Sequence, residues 1–232
     1  MHADGRRLCG ATVTKVEAVG KHLLIHTDAE WTMRTHLGMT GRWDVYTSDA
    51  PWRTTEGKAR VVLRTAAAVA VCFPTGAIVT GLGRLGPDLA TDQPDLVEVI
   101  DRVRTSGAPT MADLLLDQTA ASGIGNVYKS EVLYLERIHP DASPDALDDG
   151  RMQKVYARAN RLLLGNLTGG GRMTTGSRSH NNYWVYGRAG KECRRCGIPI
   201  ETTRHGPLAR RTYWCPSCQP QPSTSSRSLV KG

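Results

Sequence analysis

Four of the six cysteines fall in two pairs, Cys193-Arg-Arg-Cys196 and Cys215-Pro-Ser-Cys218, separated by the 18 residues 197–214. Each short turn can aim two thiolates at one point, and two such turns at this separation have the spacing of a four-cysteine zinc site. Such a site has no open coordination position, so it is structural. Disulfides are the competing reading. Residues 1–20 lack the apolar run of a secretory signal, so the cytoplasm is the expected location, and its reducing conditions favour the metal. Between the pairs, 200–204 and 209–214 are expected to form a hairpin around His205-Gly206-Pro207, too small to fold without a staple. Cys9 and Cys72 stand alone on strand-like segments and read as buried, inert thiols.

A second local pattern is Ser122-Gly123-Ile124-Gly125-Asn126-Val127-Tyr128-Lys129-Ser130-Glu131, two glycines in a turn followed by a helix start. Unpaired N–H groups and the positive end of the helix dipole would face an anion there, with the Asn126 amide as a further donor. Glycines that simply join two packed helices are the alternative. Charge bears on the choice. Lys+Arg 30 against Asp+Glu 22 gives +8, with the acids concentrated between Asp88 and Asp149 and the arginines in residues 150–232. Tyr183, Trp184, Tyr186, Tyr213 and Trp214 lie in the same basic third. Aromatics among arginines suit stacking and phosphate contact with nucleic acid, whereas charge alone would also serve solubility.

These groups need a scaffold. Val13, Val16 and Val19, then 22–27, 60–63, 69–73 and 78–82, read as short strands separated by Gly, Pro and Thr clusters, which predicts a sandwich or barrel. Beyond Thr91 the period becomes helical. Asp92 is expected to cap a helix with Pro94 in its first turn and Leu96, Ile100 and Val103 on one face. Segments 109–116 and 125–135 continue the helical reading, and Leu147, Val155, Ala159, Leu162 and Leu163 mark a longer helix ending near Gly165. A Gly-rich mobile loop is expected at 168–172 and a disordered tail after Gln219. The longest apolar run, Ala66 to Phe73, is far short of the ~20 residues of a bilayer span.

The runs GIGNVYKSEVLYLERIHP (123–140), WVYGRAGKECRRC (184–196) and ARRTYWCPSCQ (209–219), in that order, resemble the formamidopyrimidine-DNA glycosylase and endonuclease VIII family, on the endonuclease VIII side. GKHLL (20–24) and THLGMTG (35–41) match its amino-terminal domain. The resemblance implies a multidomain α+β fold: an amino-terminal β-sandwich over 1–90, incomplete at its start, a helix-two-turn-helix domain over 91–185, a zinc finger over 186–219 and a tail over 220–232. It implies a base-excision glycosylase with lyase activity, acting as a monomer on double-stranded DNA that holds an oxidised base or abasic site. Lys21 resembles the family lysine of the β-elimination step and of phosphate contact. Arg210, five residues before Cys215, resembles the finger arginine that supports δ-elimination. Met39 resembles the wedge that fills the gap left by an extruded base, and Asn126 the phosphate anchor. The metal ligands are Cys193, Cys196, Cys215 and Cys218; His36 and His139 read as structural.

The family opens on proline and glutamate, a nucleophile and an acid, whereas this chain reads Met1-His2-Ala3-Asp4. Base excision is therefore expected to be impaired. An open-chain abasic aldehyde needs no departing base and no ring-opening acid, so its elimination is less demanding. The alternative is a noncatalytic zinc-dependent binder of damaged DNA or structured RNA. A zinc ribbon of RNA machinery would explain 191–219 and leave 123–140 without a role.

Overall fold

The computed structural model describes residues 9–29, 31–38, 41–53, 56–73, 78–80, 85–167, 171–176 and 182–221. Met39, the opening residues 1–8 and most of the 168–172 loop lie outside them, as does the tail beyond residue 221. The chain divides into two compact units, Met1–Gly83 and Arg84–Gly232.

The first unit is built of two antiparallel sheets. Strands β1 (Val13–Val19), β2 (His22–Thr27), β3 (Thr32–His36) and β7 (Ile78–Thr80) form one in the order β1-β2-β3-β7. Strands β4 (Arg42–Thr47), β5 (Val61–Arg64) and β6 (Ala68–Phe73) form the other in the order β4-β6-β5. β3 and β4, which the hydrophobic pattern does not mark, are found because their burial is carried by mixed residues. Thr35 is buried, and its hydroxyl accepts from Trp43 Nε1 at 3.2 Å, joining β3 to β4. Cys72 is buried as expected, but Cys9 is exposed ahead of β1.

Among its described residues the second unit has four α-helices, α1 (Leu96–Thr105), α2 (Met111–Leu114), α3 (Asn126–Leu135) and α4 (Asp149–Leu164), and a hairpin of β8 (Glu201–His205) and β9 (Arg210–Trp214). α1 starts later than expected. Asp95 accepts from Glu98 N at 2.9 Å, and this cap, with an acid in the first turn, prevails over Asp92, leaving Pro94 outside the helix. Thr110 and Asp148 cap α2 and α4 in the same way. The core beneath is continuous, with Val99, Val103, Met111, Leu114, Ile124, Val132, Leu133, Met152, Val155 and Tyr156 at its centre. No helix among the described residues is long and apolar enough to cross a membrane.

Gly123 turns the chain into α3 at φ +111°, and a Cβ there would stand 3.3 Å from Leu163 Cδ1. Gly107 has φ +65° with nothing within 4 Å. Gly123→Ala should therefore cost about 1–3 kcal/mol from backbone strain alone, plus crowding, against about 1 kcal/mol for Gly107→Ala. Urea unfolding of the two variants checks this; equal midpoints would contradict it.

Candidate DNA-facing site and metal centre

Helix α3 organises the second unit because each of its faces holds a different element. Its first turn is open: Gly125 is the N-cap and supplies no side-chain bond. Asn126 Nδ2 donates to Arg211 O at 2.9 Å, and one turn later Ser130 Oγ accepts from Tyr213 N at 3.3 Å. Residues four apart on a helix thus meet residues two apart on a strand, and the edge of β9 that does not face β8 is covered. The Asn126 donor is committed to the hairpin, while its Oδ1 is buried without a partner among the described residues.

On another face, Glu131 has no exposed surface. Its carboxylate accepts from Trp184 N at 2.8 Å, Val185 N at 2.9 Å and Tyr186 N at 2.8 Å, and from the Thr174 hydroxyl. Three successive backbone N–H groups converging on one anion form a nest, and here the anion belongs to the protein.

The last turn of α3 supplies Tyr134, which is buried with Val185, Cys193, Ile200 and Cys215 in a small second core. Its hydroxyl lies 3.3 Å from Cys193 Sγ, Arg195 stacks over its ring at 4.7 Å, and burial pushes the phenol well above its usual range. The four sulfurs of Cys193, Cys196, Cys215 and Cys218 lie within 4.8 Å of one another, with Cys193–Cys218 at 3.9 Å and Cys196–Cys215 at 3.4 Å. All four thiols are free. A tetrahedral ion with ~2.3 Å metal–sulfur bonds places its sulfurs ~3.8 Å apart, so this donor set fits one ion.

Two further contacts tie the four-cysteine module to the helices. Gln219 is fully buried, its Oε1 accepting from Cys215 N at 3.0 Å and its Nε2 donating to Ile138 O at 2.7 Å. His205 is buried at the end of β8, its Nε2 at 2.6 Å from Asp141 Oδ1 and its Nδ1 at 2.7 Å from Thr212 Oγ1. His139 packs edge-on against Trp214 and takes the Asp141 N–H, a structural histidine as expected.

Arg210 opens β9 opposite His205, partly exposed, and so stands beside the strand residues that Asn126 and Ser130 hold. Lys21, partly exposed in the turn between β1 and β2, belongs to the first unit. Its neighbour His22 stays neutral, its pKa lowered to about 4 by burial and by the charges of His36, Arg34 and Lys21. The structure therefore brings Asn126, Arg210 and the four cysteines into one unit and sets Lys21 in the other. Glu131, Gln219 and Lys129 were not singled out by sequence reasoning. For Lys129 and Glu131 the available signal was charge within the helical run NVYKSEVLYL; Gln219, in the run CPSCQPQP, carried none.

The profile described as Formamidopyrimidine-DNA glycosylase N-terminal domain matches residues 2–74, and that described as Formamidopyrimidine-DNA glycosylase H2TH domain matches residues 85–177. "DNA-(apurinic or apyrimidinic site) lyase Nei2" of Mycolicibacterium smegmatis is 36% identical over 222 residues, 91% of this chain and 84% of that protein. This chain belongs to the formamidopyrimidine-DNA glycosylase and endonuclease VIII family. "Endonuclease 8 2" of Mycobacterium tuberculosis is 35% identical over 230 residues, 91% of this chain and 85% of that protein. Among solved structures, the Lactococcus lactis family enzyme in complex with DNA containing an abasic site is similar at TM-score 0.64 and 25% identity, covering 90% of this chain and 82% of that one. The expected architecture, an amino-terminal β domain, a helix-two-turn-helix domain and a four-cysteine cluster, is the one observed.

Glu131→Gln keeps the shape but replaces one acceptor oxygen with an amide that must face N–H donors. A loss of about 3 kcal/mol is expected, because hydrogen bonds to a charged acceptor are strong and the donors left behind are buried. Thermal unfolding measures it; an unchanged midpoint would show that the nest does not depend on the carboxylate.

Proposed function

We propose that the protein is a base-excision enzyme that acts on double-stranded DNA holding an oxidised base or abasic site and cleaves it at abasic sites, as a monomer with one structural zinc. The observation that carries this reading is the docking of β9 on α3, which puts the open first turn of α3, Asn126 and Arg210 side by side. The work divides among residues 1–90, 91–185 and 186–219.

At an abasic site an amine adds to the C1′ aldehyde and loses water to form an iminium. Loss of a C2′ proton then expels the 3′ phosphate, and a second elimination expels the 5′ phosphate. Lys21 is assigned to the first elimination and to holding phosphate, and Arg210 to stabilising the second leaving phosphate. Asn126 anchors the backbone through the helix start, and Met39 is the wedge at the extruded base. Such anchoring positions the duplex without reading its bases.

Zinc at Cys193, Cys196, Cys215 and Cys218 supplies structure alone; Arg195 and its basic neighbours offset the charge of four thiolates. Cys196→Ser should release the metal and abolish DNA binding. Structural zinc contributes ~10 kcal/mol or more of apparent binding energy, which an ~30-residue module cannot replace by burial. Elemental analysis of the reduced protein decides the point, and finding no zinc in the unmodified protein would defeat the assignment.

Borohydride trapping and product analysis on duplex DNA with a preformed abasic site test the chemistry. Lys21→Ala should lower total cleavage by about 10²-fold or more, the scale of losing one positioned general catalyst, while Arg210→Ala should shift products toward those of single elimination. Tight binding without trapping would mark the protein as a noncatalytic binder of damaged DNA.

A further inference from the structure

Helix α3 carries two charged side chains without exposed surface, Lys129 and Glu131. Residues two apart lie on different faces of a helix, so the pair does not neutralise itself. Glu131 is satisfied by its nest. Lys129 Nζ is buried with no hydrogen-bond partner among the described residues, an arrangement that is costly unless an opposite charge offsets it. The offsetting charge is Asp113, and the opposing one is Arg210; burial, the largest influence, lowers the ammonium pKa to about 8.

Asp113 also holds the hairpin. Its Oδ2 accepts from Thr110 Oγ1 at 2.6 Å and its Oδ1 from Gly206 N at 2.7 Å, in the turn that leads to Arg210. The other charges on elements packed against α3 are engaged elsewhere or exposed. On α4, Arg151 and Arg158 bond Glu136, Asp149 pairs with Arg104, and Lys154 and Arg161 are exposed; on β9, Arg211 is exposed. Asp113 thus bonds the hairpin turn four residues before Arg210, and Lys129 feels the charges of both.

We propose that Lys129 is a positioning residue for Arg210: its buried ammonium neutralises Asp113 beneath the hairpin turn, so that the Arg210 guanidinium is left turned toward DNA phosphate. The inference rests on the phosphate role assigned to Arg210 above. Without the ammonium, Asp113 would draw Arg210 into an internal ion pair.

The test uses the full chain with its metal and a duplex bearing a tetrahydrofuran abasic analogue, which cannot be cleaved. Lys129→Met should weaken binding by about tenfold, within the range of coupling between neighbouring groups. It should have no further effect in an Arg210→Ala background, and Asp113→Asn should restore the lost affinity. A lysine that serves only as packing would show neither the coupling nor the rescue. The unmodified protein should bind more weakly as pH rises through 8, when Lys129 loses its proton, and Lys129→Met should be flat across that range. If Lys129→Met does not fold, Asp113→Asn alone decides: retained affinity supports the proposal and a loss matching Arg210→Ala overturns it. Equal losses from Lys129→Met with and without Arg210, or no rescue by Asp113→Asn in folded protein, also overturn it. Coupled binding without cleavage of true abasic DNA would count against the lyase reading alone, whereas absence of binding by the unmodified protein would overturn both.

Discussion

A single buried carboxylate fixes the arrangement of the second unit. Glu131 sits in the middle of α3 and takes the N–H groups of three successive residues, 184–186, that lead from the helical domain into the four-cysteine module. A fully buried carboxylate is tolerated because every strong acceptor position meets a donor, and removing either side would leave buried polar groups unpaired. The segment that begins the module is therefore bound to the helix that follows the Gly123–Gly125 turn. Displacing one displaces the other.

The rest of α3 extends that attachment. Asn126 and Ser130 cover the outer edge of β9, Tyr134 enters the core around Cys193 and Cys215, and Gln219 closes the module onto Ile138. His205, held by Asp141 and Thr212, and Gly206, held by Asp113, fix the hairpin at its turn. A two-stranded hairpin is at best marginal in water; here the outer edge of β9 and the turn have partners from the helical domain. A metal at the four cysteines would preserve a module that α3 holds in place.

What could be read in the sequence was what is local. The cysteine spacing, the turn at Gly206 and the strands beside it follow from short-range chemistry, and the hairpin lies where it was expected. The start of α1 moved because Asp95 caps it at Glu98 N, with an acid in the first turn. Strands β3 and β4 were illegible because they set polar Thr32 and Thr35 in the core, Thr35 bonding a half-buried Trp43 across the sheets, rather than following an alternating apolar pattern. Glu131 and Gln219 bond to partners far along the chain, and Lys129 answers to Asp113 and Arg210, so nothing near them in the sequence marks what they hold. Family resemblance named Lys21, Asn126, Arg210 and Met39; it did not reveal that the Asn126 amide is already bonded to the hairpin.

The central claim is that the Glu131 nest makes the entry to the four-cysteine module as stable as the helical core. Native-state hydrogen exchange measures this residue by residue. The account predicts that the amides of Trp184, Val185 and Tyr186 open with the same free energy as those in the middle of α3, and do so in step with them as denaturant is added. Exchange of these three amides at loop-like rates while α3 remained protected would contradict it.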